Sequence, residues 1–180
     1  MDCLTISAMV YWFVKTYTNR LFFSVIMFYS VRFMVQNHLC MLGKPDGYLW
    51  DNPHFPSLTI SYFPSNDFYF SGHIGSATLY LSEFVARGSA GFIYLGIFTT
   101  LNNFIMLTLM RAHYFIDLIA GFCVARTIFV LSEKLSYYDD ALLKGLPRHK
   151  RESYHYKACA ECGWNNNFAD RLVYPSELAF

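Results

Sequence analysis

The stretch from Ser89 to Met110, SAGFIYLGIFTTLNNFIMLTLM, contains no ionisable residue. As a helix it would extend roughly 33 Å at 1.5 Å per residue, enough to cross the hydrocarbon core of a bilayer. That single run commits the chain to a membrane-spanning helix. Composition agrees, since 54% of the chain is hydrophobic and only 15% is charged, where soluble domains carry about a quarter of charged residues. Two further segments read as helices with polar groups embedded in them. Ser71 to Ala86 is apolar apart from His73 and Glu83, and Tyr114 to Ser132 is apolar apart from Asp117 and Arg126. Leu4 to Cys40 is broken by Lys15, Arg20 and Arg32. It is expected to form a short helix over 4–18, at the membrane interface, and then a span from Arg20 to Leu39. The fold expected is an all-α, multi-pass transmembrane helical bundle of about four spans.

Four regions follow: an N-terminal membrane helical segment over 1–40, a non-cytoplasmic aromatic loop over 41–70, transmembrane helices of catalytic type over 71–133, and a polar C-terminal tail over 134–180. The loop, GKPDGYLWDNPHFPSLTISYFPSND, contains Asp-Gly and Asn-Pro steps that forbid a continuous helix. Its aromatic residues suit an interface, and an aromatic wall can also hold a quaternary ammonium. The tail carries a basic run from Arg148 to Arg151, but the net charge is only +1. No basic face of useful size exists, which excludes nucleic acid as a partner. The five scattered cysteines are not a disulfide framework. Cys159 and Cys162 have a spacing that lets two thiolates share one zinc ion, with His149 and His155 as the remaining ligands. The histidine spacing is unusual and a single Cys-x-x-Cys is a weak signal, so zinc in the tail is the lesser expectation. No cofactor is expected at the main site, where arginines and hydrogen-bond donors would do the work of a metal. The N-terminus lacks the basic start of a secretory signal, and insertion through internal helices is expected.

Consecutive spans must alternate direction, and this fixes which residues can meet. Arg20, Arg87, Lys134, Lys144, Arg148, Lys150 and Arg151 fall on one side and Lys44 and Arg111 on the other, so the first side is expected to be cytoplasmic. His73 and His113 then share the non-cytoplasmic face, with Arg32 near it. Asp117 follows His113 by four residues, one helical turn away on the same face. It can orient one ring nitrogen and leave the other free to attack. His73 is expected to protonate a leaving group. Gly72 permits close backbone approach, and the helix start and the Ser71 hydroxyl offer donors to an anion. Arg111 and Arg32 supply the fork geometry that suits phosphate. For Arg32 a helix-packing pair with Glu83 or Asp117 is the competing expectation. Arg126 is expected to snorkel or to pair between helices.

Asp67-Phe-Tyr-Phe-Ser-Gly-His73 and Arg111-Ala-His-Tyr-Phe-Ile-Asp117, with the upstream Phe55-Pro-Ser57, resemble motifs of the type 2 phosphatidic acid phosphatase superfamily. They are closest to its sphingomyelin synthase-like branch, which includes the plant phosphatidylcholine:diacylglycerol cholinephosphotransferases. The resemblance covers about residues 32–131. It implies His113 as nucleophile, Asp117 as its orienting partner and His73 as the acid, with Ser71, Gly72, Arg32 and Arg111 around the phosphate. The superfamily's Lys and Arg-Pro motif is reduced to Arg32, with Val25 and Phe33 at the flanking positions. The phosphatase branch's Ser-Arg pair is replaced by Met106 and Leu107. Both departures favour headgroup transfer over simple hydrolysis. The bundle is reduced relative to the family's six-helix core.

Two functions compete on this reading. One is a phosphotransferase that moves a lipid headgroup, of phosphocholine type, through a phosphohistidine, or hydrolyses a lipid phosphate. Its partners would be phospholipid, lipid alcohol and the bilayer. The other is a structural, lipid-binding subunit of a larger membrane complex, descended from such an enzyme and packed against other membrane-protein subunits. The resemblance implies an endomembrane location, with the mitochondrial inner membrane as the alternative.

Overall fold

A computed structural model describes residues 2–15, 18–38, 46–47, 54, 69–87 and 90–144. Among these residues the regular structure is all helix: α1 (Asp2–Lys15), α2 (Arg20–His38), α3 (Gly72–Arg87), α4 (Ala90–Leu109) and α5 (Phe115–Tyr138), followed by a π turn (Asp139–Leu143). All five expected helices are present, two of them, α4 and α5, long and apolar enough to cross a membrane, and α4 lies within one residue of the apolar run at either end. The last helix differs from expectation by continuing past Ser132 to Tyr138, because Ser132, Glu133, Ser136 and Tyr137 are buried rather than turned to solvent. Most of the 41–70 loop and all of 145–180 lie outside the described residues.

α3 is the central helix. Ser71 to Tyr80 is buried except for the half-buried His73, because small residues let the neighbours come close. Phe28 of α2 seats its ring over Gly75, where a Cβ would overlap it. Gly96 of α4 lies against the backbone of Leu81. Three apolar clusters result. Leu4, Ala8, Leu21, Ala77, Tyr80 and Phe84 join α1 and α2 to α3. Phe28, Phe70, Leu79, Ala125, Ile128 and Phe129 join α2 and α3 to α5. Ile74, Leu107, Ala112 and Leu118 pack the start of α3 against the α4–α5 turn.

α4 is different. It is apolar all round, yet only Gly96 and Leu107 are buried along it. Tyr94, Phe98, Leu101, Ile105 and Leu109 are exposed, an apolar surface far larger than soluble monomers tolerate. α4 and α5 are each long and apolar enough to cross a membrane.

Polar groups inside this bundle concentrate at its two ends. At the end formed by the start of α2, the end of α3 and the end of α5, Arg20 is buried and donates through Nε to Glu83 Oε2 at 2.7 Å and through Nη2 to Glu83 Oε1 at 3.0 Å. Its Nη1 reaches Glu133 Oε1 at 3.5 Å, and its guanidinium carbon lies 5.2 Å from the centroid of the Phe129 ring. Thr18 and Ser136 share a hydroxyl hydrogen bond beside it. Glu83 therefore belongs to Arg20, and the expected pairing of Arg32 with Glu83 is not formed: the two lie toward opposite ends of α3.

Candidate functional site

The other end is assembled from the starts of α3 and α5. Ser71 stands before α3, where its Oγ accepts from the Ile74 N–H at 3.4 Å and its carbonyl accepts from Gly75 N–H at 3.0 Å. Its own N–H donates to the Asp117 carbonyl at 3.0 Å, which ties the first turn of α3 to the first turn of α5. The contact is possible because α5 has Gly121 there. A Cβ at Gly121 would come within 2.7 Å of the Ser71 carbonyl oxygen and 3.2 Å of its nitrogen, closer than side-chain packing allows.

On this scaffold the two imidazoles meet. The ring centroids of His73 and His113 are 6.2 Å apart, with the planes at 67°, within the reach of one phosphate group hydrogen-bonded to both. His113 Nδ1 lies 3.6 Å from Asp117 Oδ2. That is longer than a formed hydrogen bond and of the kind that tightens when a site is filled. The same Oδ2 accepts from the Tyr114 N–H at 3.1 Å, so the carboxylate both caps α5 and faces the imidazole. Asp117 is fully buried, and its Oδ1 has no hydrogen-bond partner among the described residues.

Arg32 reaches this cluster from α2. Its guanidinium lies so close to Gly72 that a Cβ there would overlap Nη1 and the central carbon. A fixed positive charge is thus pressed against the N-terminal end of α3, where exposed N–H groups and the helix dipole are already positive. Positive charge converging on positive charge calls for an anion. His113, in the turn before α5, senses the same surroundings: burial first, then His73 and Arg32, push its imidazole down to about 3. It is therefore neutral near pH 7, with a lone pair available.

Arg111 goes elsewhere. It is exposed and adopts φ of +49°, a left-handed conformation that costs a non-glycine residue about 1 kcal/mol. Its Nη1 donates to the Asp46 carbonyl at 3.4 Å and closes over Gly47, itself at φ +72°. The structure thus gathers His73, His113, Asp117, Ser71, Gly72 and Arg32, while Arg111 pins the 46–47 turn beside them. Gly121 escaped the sequence reading, although its position one turn beyond Asp117, on the same helix face, was the available signal. The zinc candidates His149, His155, Cys159 and Cys162 lie outside the described residues.

A model of the family described as AtPDCT1/2, phosphatidylcholine:diacylglycerol cholinephosphotransferase-like, matches residues 3–134, well over half of the chain. No curated protein and no solved structure matches.

Proposed function

Because the chain belongs to the AtPDCT1/2 family, we propose that it moves a phosphocholine-type headgroup between a phospholipid and a lipid alcohol through a phosphohistidine. The observation that carries this reading is the convergence of His73 and His113 at 6.2 Å on the positively charged start of α3.

The reaction proceeds in two balanced steps. His113, turned by Asp117 so that Nε2 is free, attacks the phosphorus of the donor phospholipid. The P–O bond to the diacylglycerol breaks, and His73 gives its proton to the leaving oxygen. The headgroup is then held on His113 as a phosphoramidate. In the second step the hydroxyl of the acceptor lipid attacks phosphorus, His73 takes the hydroxyl proton, and the P–N bond breaks to restore His113. Arg32, the Ser71 hydroxyl and the first N–H groups of α3 would hold the non-bridging oxygens, where charge builds in the transition state. With water as acceptor the same steps hydrolyse the lipid phosphate.

The reading places α2 to α5 across the membrane in alternating directions. Arg20, Arg87 and Lys134 lie at the end opposite to His73 and His113, which favours a non-cytoplasmic site. The test is headgroup exchange by purified protein in liposomes, with choline-labelled phosphatidylcholine as donor and unlabelled diacylglycerol as acceptor. Label is expected in the new phospholipid, and His113→Ala is expected to lower the rate by about 10³-fold or more. Equal rates for wild type and His113→Ala would sink the mechanism. Tight lipid retention without exchange would point instead to the structural-subunit reading.

A further inference from the structure

The charges toward the opposite end of α3 do not serve the reaction above, and two of them, Arg126 and Glu133, line a cavity of about 210 Å³. Its walls include Ser82 from α3 and Arg126, Phe129, Val130 and Glu133 from α5. Arg126 stands near the middle of a helix apolar enough to cross a membrane, a costly position for a cation that has no counter-charge. Its Nη1 donates to Ser82 Oγ at 3.1 Å and its guanidinium carbon lies 5.7 Å from the Phe129 centroid. Among the described residues no carboxylate pairs with it. Two turns further along α5, Glu133 is buried and faces the same cavity. Its Oε1 is 3.5 Å from Arg20 Nη1, against 2.7 and 3.0 Å for the two contacts of Glu83 with the same guanidinium.

We infer that this cavity binds the headgroup of a zwitterionic phospholipid, with the phosphate on Arg126 and the ammonium beside Glu133. Seven residues of helix separate the two by roughly 10 Å, which accommodates a phosphate, a two-carbon bridge and an ammonium together with their contacts. The order of the charges also fits. Arg126, deeper along α5, meets the phosphate next to the glycerol and acyl chains. Glu133, nearer the helix end, meets the outer ammonium. An anionic headgroup would bring nothing to Glu133, and a free phosphate would leave the apolar walls at Phe129 and Val130 without an occupant. The inference rests on α5 crossing the membrane but not on the transfer reaction, because the cavity is at the other end of α3 from His73 and His113.

The experiment is photolabelling of the full-length protein in liposomes with a phosphatidylcholine bearing a diazirine close to the glycerol, followed by mass spectrometry of the labelled peptides. Label is expected on the 82–86 and 126–133 segments. Excess phosphatidylcholine or phosphatidylethanolamine should displace it, and excess phosphatidylglycerol should not. Arg126→Gln should reduce labelling there by about tenfold, as expected for one lost charge-assisted contact. It should leave headgroup exchange and helical content unchanged. Val130→Trp, which fills the cavity without touching a charge, should do the same, whereas His113→Ala should abolish exchange and leave this labelling intact. Labelling that is absent from these segments, insensitive to both variants, or displaced equally by phosphatidylglycerol would overturn the proposal.

Discussion

At the C-terminal end of α3, Glu83 receives Arg20 through two short hydrogen bonds and Glu133 completes the set. At its N-terminal end, Arg32 and two imidazoles gather around the helix start, and Asp117 beside them is engaged by the Tyr114 N–H. At the first end one guanidinium serves two carboxylates: Glu83 meets it in good geometry, and Glu133 touches it at 3.5 Å. At the second, the Arg32 guanidinium is set against a helix start whose dipole points the same way. Within one helix, then, charge is used once to join helices and once to attract an anion. The type of residue does not separate these uses. What each guanidinium is pressed against does: two carboxylates for Arg20, a helix start for Arg32.

The largest effect should come from breaking the Arg20 cluster. Arg20→Met would leave two buried carboxylates without their cation, a loss of about 3–5 kcal/mol in comparable buried pairs. A large fall in the thermal midpoint of the solubilised protein is expected, with part of it recovered in Arg20→Met/Glu83→Gln. An unchanged midpoint would show that the cluster is not what joins α2 to α3 and α5.

Next in size is a change that deforms the anion-attracting end through the backbone. Gly121→Ala puts a methyl group 2.7 Å from the Ser71 carbonyl oxygen, where only a shift of α3 against α5 relieves the overlap, at about 1–3 kcal/mol. Exchange should fall further than stability, by about 10²-fold, because His73 and His113 ride on the two displaced helices. Gly91→Ala is the control, since nothing lies within 4 Å of the added Cβ. Similar behaviour of the two variants would remove the argument from close approach.

The smallest effect tests the electrostatics of the site itself. Burial, His73 and Arg32 hold His113 down to about 3. The neutral, nucleophilic form therefore persists as pH falls from 8 to 5, and protonation sets in only near the lowered value. Protonation of His113 should therefore lower the single-turnover rate of phosphohistidine formation by less than about twofold over that range. A drop with a midpoint near 6.5, absent from a variant with another nucleophile, would show that the imidazole titrates as though exposed.

Much of this architecture was legible in the sequence. The apolar run from Ser89 to Met110 became α4, and the alternation of spans was enough to predict that His73 and His113 would share an end. Asp117 was expected one turn beyond His113, and it faces the imidazole there. The destination of long side chains was not legible. For Arg32 the sequence leaves open a phosphate, Glu83 and Asp117, and it puts Arg111 beside the phosphate. A guanidinium reaches far enough to choose among several neighbours, and the choice depends on how each helix is rotated about its axis. The extension of α5 beyond Ser132 was hidden for a related reason. Glu133 and Ser136 look like the start of a polar tail until Arg20 and Thr18 are brought against them.

By itself the sequence determined that the chain is helical, that at least one helix suits a membrane, and that two histidines and an aspartate come to one end. Hydrophobic periodicity, helix length and the parity of consecutive spans are local or countable properties, and packing does not alter them. Tertiary structure alone decided which cation serves which anion. That choice depends on interhelical distances set by Gly72, Gly75 and Gly121, residues whose lack of a side chain carries meaning only once a neighbour occupies the space.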